Sequence, residues 1–129
     1  MPAYNNSFPP YSISPGEQVT VWNAETPAPG NGGAAASQAV AIVPTPARKG
    51  FSVDGQFSGA PGAFEVDVQA AAVDADAQYQ TVANGNITTV DAVNNTFHFD
   101  GSAVVAKFVR LLMRSRGNAV SVTATITGA

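Results

Sequence analysis

Nine carboxylates, a single histidine and no cysteine bound the chemistry open to this chain. Without cysteine there is no disulfide, no thiolate metal site and no thiol nucleophile. Glu65 and Asp67 alternate along one strand-like stretch and so share a face. That places two carboxyl groups within the separations of about 5–9 Å used by glycosidases. Two acids alternating on a solvent-facing strand give the same pattern without any reaction. Asp74 and Asp76, with Asp67 and Asp91 as possible neighbours, could offer oxygens to calcium. The ion takes six to eight, and the closing glutamate of a dedicated loop is missing. His98 lies in Thr96-Phe97-His98-Phe99-Asp100, where the phenylalanines take the inward face and the imidazole points out. A general base needs a partner within hydrogen-bond reach, and the sequence names none. No phosphate-cradling glycine loop, nucleophile elbow or metalloprotease motif is present. We therefore expect no catalytic residue, no metal and no cofactor.

The aromatic residues outside the strand-like body point to binding instead. Tyr4, Phe8, Tyr11 and Trp22 all fall before residue 50, in a stretch with few other large apolar groups, and aromatic anchors of this kind fill pockets on partners. Four of the six basic residues, Lys107, Arg110, Arg114 and Arg116, cluster near the other end. They could pair with carboxylates on a neighbour, or guard an exposed strand edge against aggregation. The expected partner-binding set is Tyr4, Phe8, Tyr11, Trp22, Arg110, Arg114 and Arg116.

These residues hang on a chain that divides in two. Residues 1–49 hold nearly all the prolines and the run Pro27-Ala28-Pro29-Gly30-Asn31-Gly32-Gly33. Such a composition favours turns and polyproline, and offers little apolar surface to offset the entropy of ordering. It predicts an extended Pro/Gly-rich N-terminal arm. Two strand-like pieces inside it, Val19–Trp22 and Gln38–Val43, could add to a sheet edge. From residue 50 onward the pattern alternates with period two, the mark of half-buried strands. In Phe64-Glu65-Val66-Asp67-Val68-Gln69 and in Val120 to Thr127, one face is apolar and the other polar. The stretch Val104 to Met113 is apolar on both parities and predicts a central strand covered on both sides. Asn84-Gly85 and Arg116-Gly117-Asn118 read as hairpin turns, and Gly59-Ala60-Pro61-Gly62 as a tight loop. The alanine-rich tract from Ala70 to Gln78 is too short for a stable helix, so a loop or single turn is expected. The sum is an all-β protein, a jelly-roll-like β-sandwich over residues 50–129 with the arm before it.

The charged fraction is only 12%, about half that of a typical soluble domain, and the net charge is -3. A polar surface with few charges is cheap to desolvate against neighbours. A body of about 80 residues buries only roughly 60% of its unfolded surface, so it gains from partners, and a homo-oligomer is expected. Nucleic-acid binding would need a basic surplus. The start, Met1-Pro2-Ala3-Tyr4, has no signal-peptide pattern, and no apolar run reaches the length of a membrane span. Synthesis in a cytoplasm is the expectation, with neither nucleic acid nor membrane as partner.

Taken together, Phe57-Ser58-Gly59-Ala60-Pro61-Gly62-Ala63-Phe64-Glu65-Val66-Asp67-Val68-Gln69, Asp74-Ala75-Asp76-Ala77-Gln78-Tyr79 and Ala106-Lys107-Phe108-Val109-Arg110-Leu111 resemble small β-sandwich proteins encoded among the virion genes of tailed bacteriophages. The resemblance spans Phe51 to Thr127. It implies a non-enzymatic virion structural protein, a head decoration or cement protein. Such a protein sits on the capsid surface and contacts the major capsid protein or other virion subunits. The arm would bridge neighbouring subunits. A tail, neck or fibre component of the same particle is the nearest alternative. A carbohydrate-binding module is the alternative from another class; for it, only Tyr79 lies off the core parity.

Overall fold

A computed structural model describes residues 4–5, 11–42 and 50–128 of the chain. Among them nine strands form two facing sheets. These are β1 (Tyr11–Ile13), β2 (Gln18–Glu25), β3 (Val40–Ile42), β4 (Phe51–Phe57), β5 (Phe64–Ala71), β6 (Gln80–Ile87), β7 (Thr96–Asp100), β8 (Phe108–Arg116) and β9 (Val122–Gly128). One sheet has the order β1-β3-β8-β5-β6 and the other β2-β9-β4-β7. All neighbours are antiparallel except β1 and β3. The core between the sheets takes alternate residues from each strand: Phe51, Val53 and Phe57 of β4, Val66 and Val68 of β5, Val109, Leu111 and Met113 of β8, and Val122, Ala124 and Ile126 of β9. Period-two alternation in the sequence thus becomes one buried face per strand. The all-β sandwich expected from that alternation is present.

The described part of residues 1–49 is built into this sandwich. Strand β2 lies along β9, β3 along β8, and β1 beside β3. The expectation of an arm set apart from the body is therefore corrected for residues 11–42. Their apolar residues are few but well placed, with Ile13, Val21, Trp22, Val40 and Ile42 all in the core. Residues 43–49 and 6–10, where Phe8 falls, lie outside the described residues.

Gly59 to Gly62 is the expected tight loop, whereas neither Asn84-Gly85 nor Arg116-Gly117-Asn118 makes the expected hairpin. Among the described strands only β5 and β6 are consecutive and pair in antiparallel fashion. Arg116-Gly117-Asn118 carries the chain from β8 in one sheet to β9 in the other, and Gly59 to Gly62 does the same between β4 and β5. Asn84-Gly85 sits inside β6, where Asn84 adopts φ 60° and the pairing with β5 slips between Asp67 and Gln69. Residues Asp76–Gln78 form a single 3-10 turn, as the short alanine-rich tract led us to expect. Gly55 on β4 has a packing reason. The Phe97 ring of β7 stands over it, and a Cβ there would lie 2.1 Å from the ring.

β8 is central and covered on both faces, as its double apolar parity requires. Residues 30–37 run beside β8 on its β3 side, through an antiparallel bridge between Ala36 and Leu112. Ser37 donates its N–H to the Leu111 carbonyl (2.7 Å) and Gly30 its N–H to that of Met113 (3.1 Å). The Leu111 N–H donates to the Ser37 hydroxyl at 2.9 Å. Ala35 and Ala36 close over Leu112, which is fully buried.

Candidate functional site

β8 sends Arg110 to the outer face of the five-stranded sheet, where it is 1% exposed. Its guanidinium carbon lies 4.6 Å from the Tyr4 ring centroid and 4.2 Å from that of Tyr79, beside an edge-to-face ring pair whose centroids are 5.6 Å apart. Nε donates to Gln69 Oε1 at 2.9 Å and Nη1 to Asp76 Oδ1 at 2.6 Å. Both phenols donate to one oxygen, Asp74 Oδ1, at 2.8 Å from Tyr4 and 2.7 Å from Tyr79. Asp76 Oδ1 also accepts the Gly33 N–H at 3.1 Å, and Tyr4 donates its own N–H to the Ala36 carbonyl at 2.9 Å. The cluster ties residue 4, residues 33–36 and the 74–79 turn to the central strand. A guanidinium this close to two rings gains cation–π attraction from each, while its flat fork still reaches two acceptors.

Burial, and then the bonds to Asp74, push both tyrosine hydroxyls up from their ordinary value, so they remain donors. The hydrogen bond from Arg110 holds the Asp76 carboxyl below its ordinary value near 3.8, aided by the Gly33 N–H and opposed by partial desolvation. A depressed folded-state value contributes stability above the unfolded value and loses it as pH falls through the folded one. Asp76→Asn should therefore flatten the acid side of the stability profile below about pH 4 and leave its shape above pH 6 unchanged. Urea midpoints measured from pH 2 to pH 7 check this.

Asp67, on the same outer face, is 1% exposed and accepts from Arg114 Nε, from Asn86 Nδ2 (2.6 Å) and from the Thr81 hydroxyl (3.1 Å). Glu65 accepts from Ser115 and Asn86 at 3.3 Å. The sequence placed Asp67 and Gln69 on a solvent face, but both are buried. The difference arises because side chains of the neighbouring strands, Thr81 and Asn86 of β6 and Arg110 and Arg114 of β8, close over Asp67 and Gln69. Asp67 is fully engaged by three donors, so the Glu65 and Asp67 pair has no free carboxylate at Asp67 to act as base or nucleophile. Among the described residues no group of three or more His, Cys, Asp or Glu is placed to hold a metal, and no helix is long and apolar enough to cross a membrane.

The expected partner-binding residues scatter. Trp22 is 2% exposed in the core and Arg110 is enclosed, so neither presents a side chain to a partner. Tyr4 is half-buried in the Arg110 cluster. The Arg114 side chain is 36% exposed and bound to Asp67. Arg116 is half-buried with Nη1 lacking a hydrogen-bond partner. Only the backbone of Tyr11 is described, as the first residue of β1. Tyr79, the candidate for stacking on a sugar, is 7% exposed.

Among the described residues, what stays open is the outer face of the four-stranded sheet, a surface that sequence reasoning did not single out. Register aligns its outward side chains in rows: Gln18, Thr127, Ser52 and Asp100; then Thr20, Thr125, Asp54 and His98; then Thr123, Gln56 and Thr96. Rows lie about 7 Å apart and strands about 4.8 Å apart. The four strands contain no Lys or Arg. His98 Nδ1 sits 2.7 Å from Asp54 Oδ1, a ring N–H donating to a carboxylate on the neighbouring strand. The hint was in the sequence: β9 reads Thr123-Ala124-Thr125-Ile126-Thr127, with threonine at every outward position. Against this fold and these sites, comparison with family models, curated proteins and solved structures finds no match.

Proposed function

We propose that the chain is a structural subunit of a bacteriophage particle, a decoration or cement protein. In this reading it docks on the shell through the outer face of its four-stranded sheet. One observation carries the reading. Among the described residues, one outer face is closed by the chain itself and the other is left as a regular array of short, mostly uncharged side chains. A solvated face is usually studded with long charged groups. A face of threonine, serine and glutamine lets another backbone approach closely, with few charges to desolvate. The bridging first assigned to residues 1–49 passes to this face, because β1, β2 and β3 are engaged in the protein's own sheets.

The sandwich itself is read as a jelly roll. Counted from β2 to β9 as eight strands, the sheets run first-eighth-third-sixth and second-seventh-fourth-fifth, the two interleaved Greek keys of that fold. Jelly rolls serve in viral capsids and in lectins alike, so the fold supports the reading without deciding it. The lectin alternative is weakened by the aromatics, since no described aromatic side chain is exposed.

Quantitative peptide mass spectrometry on purified particles tests the assignment. Copies comparable to the shell protein support it, a few copies move the chain to neck, tail or fibre, and absence rejects the virion reading. The face is tested by Thr125→Arg at its centre. Cosedimentation with particles should weaken by at least about tenfold, since a long charge must be desolvated, with unchanged thermal unfolding. Undiminished binding would reject the face.

A further inference from the structure

The two sheets have four edges, formed by β1, β6, β2 and β7, and three of them carry devices that discourage a further strand. β1 is only three residues long. β2 shifts register twice against β9 and puts Ala24 at φ 52°. β6 slips against β5 around Asn84. Short strands and bulges are the usual protections of an edge. β7 has neither: all five residues pair with β4 in unbroken register, and it holds no proline, lysine or arginine.

Its free side can be assigned. Phe51 and Gly101 exchange both main-chain bonds, at 3.4 and 2.8 Å, and Phe57 donates to the Asn95 carbonyl at 2.9 Å. Alternation in an antiparallel pair then gives Phe97 and Phe99 to β4 and turns the N–H and C=O of Thr96, His98 and Asp100 away from it. The Thr96 carbonyl takes the Asp91 N–H at 2.8 Å. No described main-chain group takes those of His98. Beside this edge runs a groove of about 510 Å³ lined by Asp54, Gly55, Asp91, Thr96, Phe97 and His98. Two carboxylates and no Lys or Arg line it.

We propose that β7 is a docking edge for an extended segment of another chain. The segment pairs main chain to main chain across His98 and places a lysine or arginine side chain in the groove, between Asp91 and Asp54. Main-chain pairing supplies affinity in strand addition and side-chain pockets supply selectivity; here the selectivity is for positive charge. This goes beyond the shell-docking reading and does not need a particle to be tested.

The probe is the peptide acetyl-Thr-Lys-Thr-Val-Thr-Lys-Thr-amide, titrated into the isotopically labelled full chain and followed by amide chemical shifts. Shifts should concentrate at residues 91 and 96–100, and the same peptide with glutamate for lysine should bind at least about tenfold more weakly. His98→Pro should abolish binding with its own sheet intact, because the N–H it removes faces outward. Asp91→Lys, outside the ladder, should also abolish it and covers the case in which the proline variant fails to fold. Absence of shifts at 96–100, equal binding of the glutamate peptide, or unchanged binding by Asp91→Lys would each overturn the proposal.

Discussion

Trp22→Ala should lower the unfolding free energy by about 4 kcal/mol, within the range for removing a buried tryptophan. The indole is 2% exposed, and its strand pairs with β9 through a Trp22 and Ala124 register flanked by shifts on both sides. Few neighbours can move in to fill the space, because the adjoining core position across the pair is an alanine. Thr20→Ala, two residues away and outward, should change stability by less than about 0.5 kcal/mol. Urea denaturation of both variants measures the contrast. A tryptophan acting as a free anchor on an arm would give the reverse pattern: native stability in Trp22→Ala and a loss only in partner binding. A loss under about 1 kcal/mol would remove Trp22 and β2 from the core.

The second large effect is expected at Arg110. Arg110→Ala removes a cation from beside two rings and strands the Gln69 carbonyl oxygen, which is buried. It also releases Tyr4 and Tyr79 from their shared position over β8. Breaking one partner from a buried polar cluster costs about 3 kcal/mol, somewhat tempered here because Asp76 is 52% exposed and water can take up its charge. Arg110→Lys restores the charge without the flat fork that reaches both Gln69 and Asp76, so it should recover less than half of the loss. Denaturation midpoints report the size. Hydrogen exchange reports the mechanism, since residues 74–79 and 33–36 should lose protection ahead of the core strands. Uniform loss of protection, with no lead by those segments, would contradict the clamp.

Part of this was legible in local pattern and part was not. Alternation in Phe64 to Gln69 and in Val120 to Thr127 states a strand with one apolar face, because side-chain direction in a strand depends only on position along it. The double parity of β8 likewise states burial on two sides. The outward place of His98 follows from the phenylalanines on either side of it. Local pattern cannot state what lies across a face. Arg110 looks like a surface cation until Tyr4, Tyr79 and Asp76 meet over it, and these partners lie up to 106 residues away along the chain. Asp67 looks solvated until Arg114, Asn86 and Thr81 converge on it.

Residues 11–42 make the same point. Proline, glycine and alanine over that stretch argue against regular structure when counted alone. Yet Ile13, Val21, Trp22, Val40 and Ile42 are enough when two existing sheets offer edges to pair with. Backbone hydrogen bonds at those edges replace the side-chain burial that the segment lacks. By itself, then, the sequence determined the strand class, the parity of each strand and the scarcity of charge, all of them local or compositional quantities. Only the tertiary structure decided which sheet each strand joins, which outer face is closed and which polar groups are buried in pairs. Those depend on contacts between residues far apart in the chain, which no period or composition encodes.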